Sequence, residues 1–314
     1  MSVKAFPPLA PGSYVILATP FDAHERLDPE GIARQVEFHA KVGARGVVVL
    51  AVMGEGIKVT EDERRLAVEA AVAAARGKVP VIVGVNAPSF WLVRRHTEQA
   101  ARLGAQGVLL APVAGTPPAA LTALYQGVAG EGLPIVLQDY PPATGVNLSV
   151  GQIARVVEAV PAVVAVKNEV PPTGPRTREL KAALPRPVTI LGGLGGLSLL
   201  DELDAGADGT MTGFAFSEVL VAVCEEHRRG NRERARELYE AFLPWLVFES
   251  TPGVGLGIRK EFLRWRGLLR HATLRAPAPA LDEPTRKRTE ELFREYHERA
   301  SRAGLIAAAS RPTP

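Results

Sequence analysis

Residues 46–75 read GVVVLAVMGEGIKVTEDERRLAVEAAVAAA, and they contain both kinds of segment from which the fold can be predicted. The first seven residues form a short, almost continuously apolar run rich in valine, which is typical of a strand buried on both faces of a parallel sheet. Residues 61–75 have a helical pattern, and Thr60 with Glu63 three positions later is the signature of a capping box. This stretch therefore predicts one strand followed by one helix.

The same strand and helix unit recurs along the chain. Short apolar runs begin near Ser13, Gly46, Pro80, Gly107, Pro134, Ala162, Pro187 and Asp208. Helical patterns lie between them at 28–42, 61–75, 89–103, 118–130, 149–160, 177–184 and 198–205. Eight such alternations predict an α/β fold of the (β/α)₈ TIM barrel type. A doubly wound nucleotide-binding sheet is disfavoured, because Thr19-Pro20-Phe21-Asp22 after the first run is not a glycine-rich turn.

The domain organisation follows from where the strand signals stop. We expect a barrel over residues 1–215, a C-terminal helical extension packed on it over residues 216–309, and a tail over residues 310–314. A proline-rich stretch at 276–280 interrupts the extension.

Composition and charge exclude several classes of function. The 314 residues are 46% hydrophobic and 23% charged with a net charge of +3, which is typical of a globular protein. Basic residues alternate with acidic ones, so no nucleic-acid partner is expected. We also expect no membrane segment, no metal site and no cofactor, since no run is long and apolar enough and the six histidines have no ligand spacing. Cys224 lies in an apolar run and is expected to be core, and a cytoplasmic location is expected.

Lys167 is the most unusual residue at a strand end. The sixth apolar run, residues 162–166, leads directly into it, and a period of two places Val163, Ala165 and Lys167 on one face. Active sites of such barrels lie at the C-terminal ends of the strands. A lysine at the interior mouth is partly desolvated, which favours the neutral amine that attacks a ketone and forms an imine. The alternative is a lysine whose ammonium reaches solvent at the strand end.

Several motifs, taken in their order and spacing, resemble the dihydrodipicolinate synthase / N-acetylneuraminate lyase family over roughly residues 12–279. They are Thr19-Pro20-Phe21, Val52-Met53-Gly54-Glu55, the segments 80–84 and 134–145, Val166-Lys167 and Gly206-Ala207-Asp208-Gly209. The resemblance implies that Lys167 forms the imine, that Val52, Met53 and Gly54 bind the carboxylate of the substrate, and that Gly192 and Gly209 line the pocket. It also implies a homo-oligomer, either a dimer or a tetramer.

The chain departs from the family pattern in ways that make it a divergent member. Gln138 stands where the family has its catalytic tyrosine, and Ala143 stands where synthases carry an arginine. Val113 and Ala114 replace the tyrosines that bridge subunits, and Val52 and Met53 carry no hydroxyl groups. Tyr140, two residues after Gln138, is the candidate to replace the missing phenol. The alternative is that Tyr140 only packs in the turn at 140–142.

The predicted function is a class I, Schiff-base lyase or aldolase that acts on pyruvate or another 2-oxo acid, with Lys167, Tyr140 and Gln138 as catalytic residues. Two alternatives stay open: a sugar-acid dehydratase that uses the same imine, and a non-catalytic barrel that binds a small acid. Glu55 and Asp139 are expected to stabilise their loop and turn rather than to take part in catalysis.

Overall fold

Eight parallel strands close into a barrel in the computed structural model, which describes residues 6–305. They are β1 (Gly12–Ile16), β2 (Gly46–Val49), β3 (Val81–Gly84), β4 (Gly107–Leu110), β5 (Ile135–Asp139), β6 (Val163–Asn168), β7 (Thr189–Gly192) and β8 (Gly209–Thr212). Each strand pairs with the next one in the sequence, and β8 pairs with β1. The predicted TIM barrel is confirmed.

Twelve helices surround the barrel or follow it in the described part of the chain. They are α1 (Pro29–Lys41), α2 (Glu61–Ala75), α3 (Phe90–Arg102), α4 (Leu121–Ala129), α5 (Pro141–Thr144), α6 (Val150–Ala159), α7 (Thr173–Ala183), α8 (Leu199–Asp204), α9 (Ser217–Arg228), α10 (Arg232–Glu249), α11 (Gly255–Trp265) and α12 (Glu283–Arg302). The capping box of α2 forms as predicted, with Thr60 and Glu63 bonded to each other's backbone N–H groups. The helix α5 was not expected, and α7 begins four residues before the predicted segment.

Side chains of the strands divide between the barrel interior and the layer under the helices, as the alternation of a strand requires. The interior is filled by a cluster that includes Ile16, Val48, Ile82, Leu109, Val136, Ala165, Leu191 and Met211. One expectation about β6 is wrong, because Val163 packs in the outer cluster while Ala165 points inward. The cause is a register irregularity between β5 and β6. It shifts the alternation after Val163 but leaves Ala165 and Lys167 on the same face.

The C-terminal helices share a core with the barrel. Phe216 lies between the rings of Phe242, Trp245 and Phe262, so α10 and α11 are packed on the end of β8 by large aromatic contacts. The helix α9 packs on β1 and β8 and takes the place of the eighth barrel helix. The helices α10, α11 and α12 are called the extension below, and the boundary at residue 216 that the sequence indicated stays a prediction. The predicted tail, residues 310–314, lies outside the described residues.

Within residues 6–305, no helix combines the length and apolarity that a bilayer crossing demands. The same residues hold no group of three or more His, Cys, Asp or Glu side chains that could bind a metal ion.

Glu202 of α8 is an unusual buried carboxyl group behind β7. It is fully buried, and neither of its carboxylate oxygens makes a well-formed hydrogen bond within residues 6–305, although a contact with the Thr173 side chain lowers its pKa in part. Burial, together with the negative charge of Glu169, raises the pKa of Glu202 to about 7. The space it occupies exists because Gly192 has no side chain, since a Cβ there would lie 1.7 Å from Glu202 Oε2.

We predict that Glu202→Gln makes the protein more stable at pH 8 than the wild type. A carboxyl whose pKa is raised in the folded state stabilises the fold below its ordinary pKa and loses that contribution as the pH rises through the folded value. The shift of the Glu202 pKa from 4.5 to about 7 corresponds to a loss of about 3 kcal/mol in the free energy of unfolding at pH 8. Denaturant unfolding at pH 5 and pH 8 measures the difference, which should be largest at pH 8. Equal stability of the two proteins at pH 8 would contradict the prediction.

Candidate active site

A cavity of about 530 Å³ lies at the C-terminal ends of the strands. Its wall combines residues at the C-terminal ends of β1, β5, β6 and β8 and in the segments after β2, β5, β6 and β7 with residues from the end of α10, the segment 250–253 and α11. Two predicted catalytic residues, Gln138 and Tyr140, lie there together with Lys167. The extension thus forms one side of the cavity.

Lys167 points into this cavity and not toward the outer helices. It is 2% exposed, and its register neighbours are Gln138 on β5 and Leu191 on β7. Its Nζ lies 2.9 Å from Oε2 of Glu169. The amine therefore lies at the interior mouth of the barrel beside a carboxylate, and the alternative of a lysine that reaches bulk solvent does not apply.

Glu169 is the residue that sequence reasoning missed. Its backbone N–H donates to the Asp139 carbonyl at 3.1 Å, so strand pairing continues one residue past β6 and places Glu169 on the same side as Lys167. Its carboxylate accepts hydrogen bonds from Gln138 Nε2 at 2.7 Å and from the Leu194 N–H at 3.2 Å. Gly193 makes room for it, because a Cβ there would lie 2.4 Å from Glu169 Cγ. The period of two that singled out Lys167 also points to residue 169.

Gln138 and Tyr140 differ in what they contact. Gln138 holds Glu169 through its amide nitrogen, while its amide oxygen is buried and has no partner within residues 6–305. Tyr140 is half-buried, and its phenol makes no hydrogen bond in the described part of the chain. Burial and the charge of Glu169 raise the pKa of Tyr140, so its phenol is neutral at physiological pH. Both side chains therefore lie where they could meet a ligand at Lys167.

The loop after β2 contributes Val52 and Met53 to the cavity wall. These residues begin a one-turn helix, Val52–Gly54, and its first N–H groups have no partner within the turn. Gly54 does not line the cavity, because it lies against the segment after β1, where its carbonyl accepts a hydrogen bond from the Thr19 hydroxyl.

Glu55 anchors this loop to the extension. It is buried and paired with the ammonium groups of Lys58 and Lys260, and it also accepts a hydrogen bond from the Arg275 N–H at 3.3 Å. Asp139, on the outer face of β5, is paired with Arg176 at 2.7 Å. Neither carboxylate lines the cavity.

Two predicted binding residues lie elsewhere. Gly192 faces Glu202 in the layer between β7 and α8, not the cavity. Gly209 is the first residue of β8, beside Gly12 at the opposite end of the barrel, where a Cβ would lie 1.9 Å from the Gly12 carbonyl oxygen. Both expectations are corrected. Instead, Gly195 in the segment after β7 and Thr212 at the end of β8 line the cavity, and the Gly195 N–H donates to Thr212 Oγ1 at 3.0 Å.

Arg259 is a second residue that the sequence did not reveal. It is 5% exposed and reaches the cavity from α11. Its Nε donates to Oε1 of Glu249, a buried residue at the end of α10, at 2.5 Å. No local sequence signal separates Arg259 from the many other arginines of the extension, because its position depends on how α11 packs on the barrel.

Comparisons with known proteins show which family the chain belongs to. The model of the "Dihydrodipicolinate synthetase family" matches residues 10–295. An L-2-keto-3-deoxyarabonate dehydratase from Azospirillum brasilense is 30% identical over 285 residues, which cover 88% of this chain and 91% of that protein. A 4-hydroxy-tetrahydrodipicolinate synthase from Stenotrophomonas maltophilia is 33% identical over 64% of this chain and 68% of its own length.

Solved structures give the same result. The crystal structure of a dihydrodipicolinate synthase from Rhodopseudomonas palustris superimposes with a TM-score of 0.87 at 34% identity, covering 92% of this chain and 99% of that one. With the family model matching nearly the whole chain and an interior lysine at the cavity, the protein belongs to the dihydrodipicolinate synthetase family and is an enzyme of its Schiff-base lyase type.

Proposed function

We propose that Lys167 forms an imine with the ketone of a 2-oxo acid, with pyruvate as the smallest substrate, and that Glu169 moves the protons that the reaction requires. The observation that carries this proposal is the position of Lys167 Nζ, which lines the cavity 2.9 Å from the Glu169 carboxylate. The amine must lose a proton before it attacks, and the carboxylate is within reach to accept it.

The carboxylate of the substrate needs donors at the same end of the cavity. The loop after β2 offers backbone N–H groups of Val52 and Met53 but no hydroxyl groups. Backbone N–H groups at the start of a helical turn favour an anion. We assign the carboxylate to this loop, and the apolar side chains of Val52 and Met53 then pack against the rest of the substrate.

Dehydration fits the site better than aldol cleavage does. A phenol that could shuttle a proton is replaced by Gln138, whose amide cannot do so, and a carboxylate stands beside the imine instead. After imine formation, Glu169 takes a proton from C3 of a 4-hydroxylated substrate and passes it to the C4 hydroxyl, which leaves as water. Hydrolysis of the imine then releases the product. The dehydratase from Azospirillum brasilense, 30% identical, supports this choice.

Tyr140 is assigned a supporting role in that step. Its phenol is neutral and makes no hydrogen bond in the described part of the chain, so it can donate one to the leaving hydroxyl group. Gln138 is assigned to hold Glu169 in place. A homo-oligomer in the cytoplasm remains the expected setting of the enzyme, and light scattering would measure its size.

Reductive trapping tests the imine. We expect pyruvate with sodium borohydride to add a pyruvyl mass to the peptide that contains Lys167, and Lys167→Ala to abolish the adduct. Lys181→Ala is the matched control, because Lys181 is a half-exposed lysine of α7 outside the cavity. With a 2-oxo-3-deoxy sugar acid, mass spectrometry of the product should show loss of water rather than cleavage to pyruvate and an aldehyde. An adduct that persists in Lys167→Ala would refute the assignment.

We predict that Tyr140→Phe lowers turnover of the sugar acid by about 100-fold, a usual size for the loss of one group that assists proton transfer. The variant should still form the borohydride adduct with pyruvate, because the phenol is not needed for attack by the amine. Steady-state kinetics and trapping on the same preparation separate the two steps. Unchanged turnover would show that Tyr140 only packs at the cavity wall.

A further inference from the structure

Arg259 is a buried cation that the mechanism above does not use. Among the described residues, its guanidinium makes a hydrogen bond only through Nε, to Glu249, and Arg259 lines the same cavity as Lys167. Its Nη1 is fully buried and without a hydrogen-bond partner anywhere in residues 6–305. Its Nη2 also makes no hydrogen bond in residues 6–305 but is not fully buried, so Nη2 is the nitrogen of this guanidinium that a ligand in the cavity can reach. A rigid cation at a cavity wall with an unused N–H group is a donor for a polar ligand atom.

The guanidinium group is held rigidly in this position. The Glu249 carboxylate that binds Nε also accepts hydrogen bonds from the Ala215 N–H at 2.9 Å and from Trp245 Nε1 at 3.1 Å. On the barrel side, Gly213 follows β8 and provides the space, because a Cβ there would lie 2.1 Å from Arg259 Nη1. The group is therefore fixed between the barrel and the extension before any ligand binds.

The charges around Arg259 select the kind of ligand atom. Glu249 is itself 2% exposed and already neutralises the guanidinium. A second carboxylate at the guanidinium would place two anions on one buried cation, which a low-dielectric site disfavours. A neutral oxygen acceptor adds a hydrogen bond without adding charge. Ser250, whose hydroxyl makes no hydrogen bond in the described residues, lines the cavity beside the end of α10 and offers a second polar contact.

We propose that Arg259 binds a hydroxyl group on the far part of the substrate, beyond the 2-oxo acid, and so selects polyhydroxylated 2-oxo acids over pyruvate and over dicarboxylic 2-oxo acids. This inference rests on the proposed function, since it places the 2-oxo acid at Lys167 and the loop after β2. Arg259 is a specificity-determining residue contributed by the extension.

The variant Arg259→Lys tests the assignment, because it keeps a cation for Glu249 but removes the guanidinium nitrogens Nη1 and Nη2. We expect kcat/KM for a five-carbon 2-oxo-3-deoxy sugar acid to fall by about 10- to 100-fold, the loss typical of one hydrogen bond from a charged donor. The rate of pyruvate trapping should fall far less, so the ratio of kcat/KM for the sugar acid to the rate of pyruvate trapping should be lower in the variant than in the wild type. Arg266→Lys is the matched control: Arg266 forms an equally buried pair with Glu218 at 2.7 Å, outside the cavity.

A second measurement does not depend on the imine. The 2-hydroxy analogue of the same sugar acid has no ketone, and calorimetry should show that Arg259→Lys binds it about 10-fold more weakly than the wild type does. If the wild type fails to trap pyruvate but this difference remains, the proposed chemistry is wrong and the hydroxyl site stands. The hydroxyl site would be overturned if Arg259→Lys lowered the rate of pyruvate trapping and kcat/KM for the sugar acid by the same factor. It would also be overturned if Arg266→Lys lowered kcat/KM for the sugar acid as much as Arg259→Lys does. Tighter binding of 2-oxoadipate than of the sugar acid, lost in Arg259→Lys, would overturn the substrate class.

Discussion

The ion pair between Lys167 and Glu169 is the interaction on which the active site depends. Both side chains are more than nine-tenths buried, and removing two charges from water costs more than a simple ion pair returns unless further hydrogen bonds are made. Gln138 and the Leu194 N–H provide those bonds to Glu169. The neighbouring strands β5 and β6 and the loop after β7 are thus all needed to keep one carboxylate beside one amine.

The extension completes the cavity through two consecutive residues of α11. Arg259 is paired with Glu249 and lines the cavity, while Lys260 is paired with Glu55 in the loop after β2. Burial lowers the pKa of Lys260 to about 8, which the charge of Glu55 only partly offsets. Two consecutive residues of α11 thus contact the cavity wall and the loop after β2, so the position of α11 on the barrel affects both.

The sequence predicted those features that repeat and missed those that depend on packing. The strands begin within two residues of the positions where the apolar runs start, because buried parallel strands have a strong local signal. Lys167 could be found because it interrupts an apolar run at a strand end. Gly209 was predicted to line the pocket but lies at the N-terminal end of β8, because a glycine motif does not indicate at which end of a strand it lies. Arg259 depends on how a distant helix packs, and no local pattern encodes that contact.

The most direct test of the paired amine and carboxylate is the exchange of the pyruvate methyl protons with deuterated water, followed by proton NMR. Imine formation at Lys167 makes these protons acidic, and Glu169 is the base placed to remove them. We expect fast exchange in the wild type, none in Lys167→Ala, and exchange slowed by about 10²-fold or more in Glu169→Gln, in which the borohydride adduct also forms more slowly because the amine loses its proton acceptor. Asp139→Asn, which changes a carboxylate outside the cavity, serves as the control. Exchange at the wild-type rate in Glu169→Gln, or no exchange in the wild type, would contradict the proposed roles of Lys167 and Glu169.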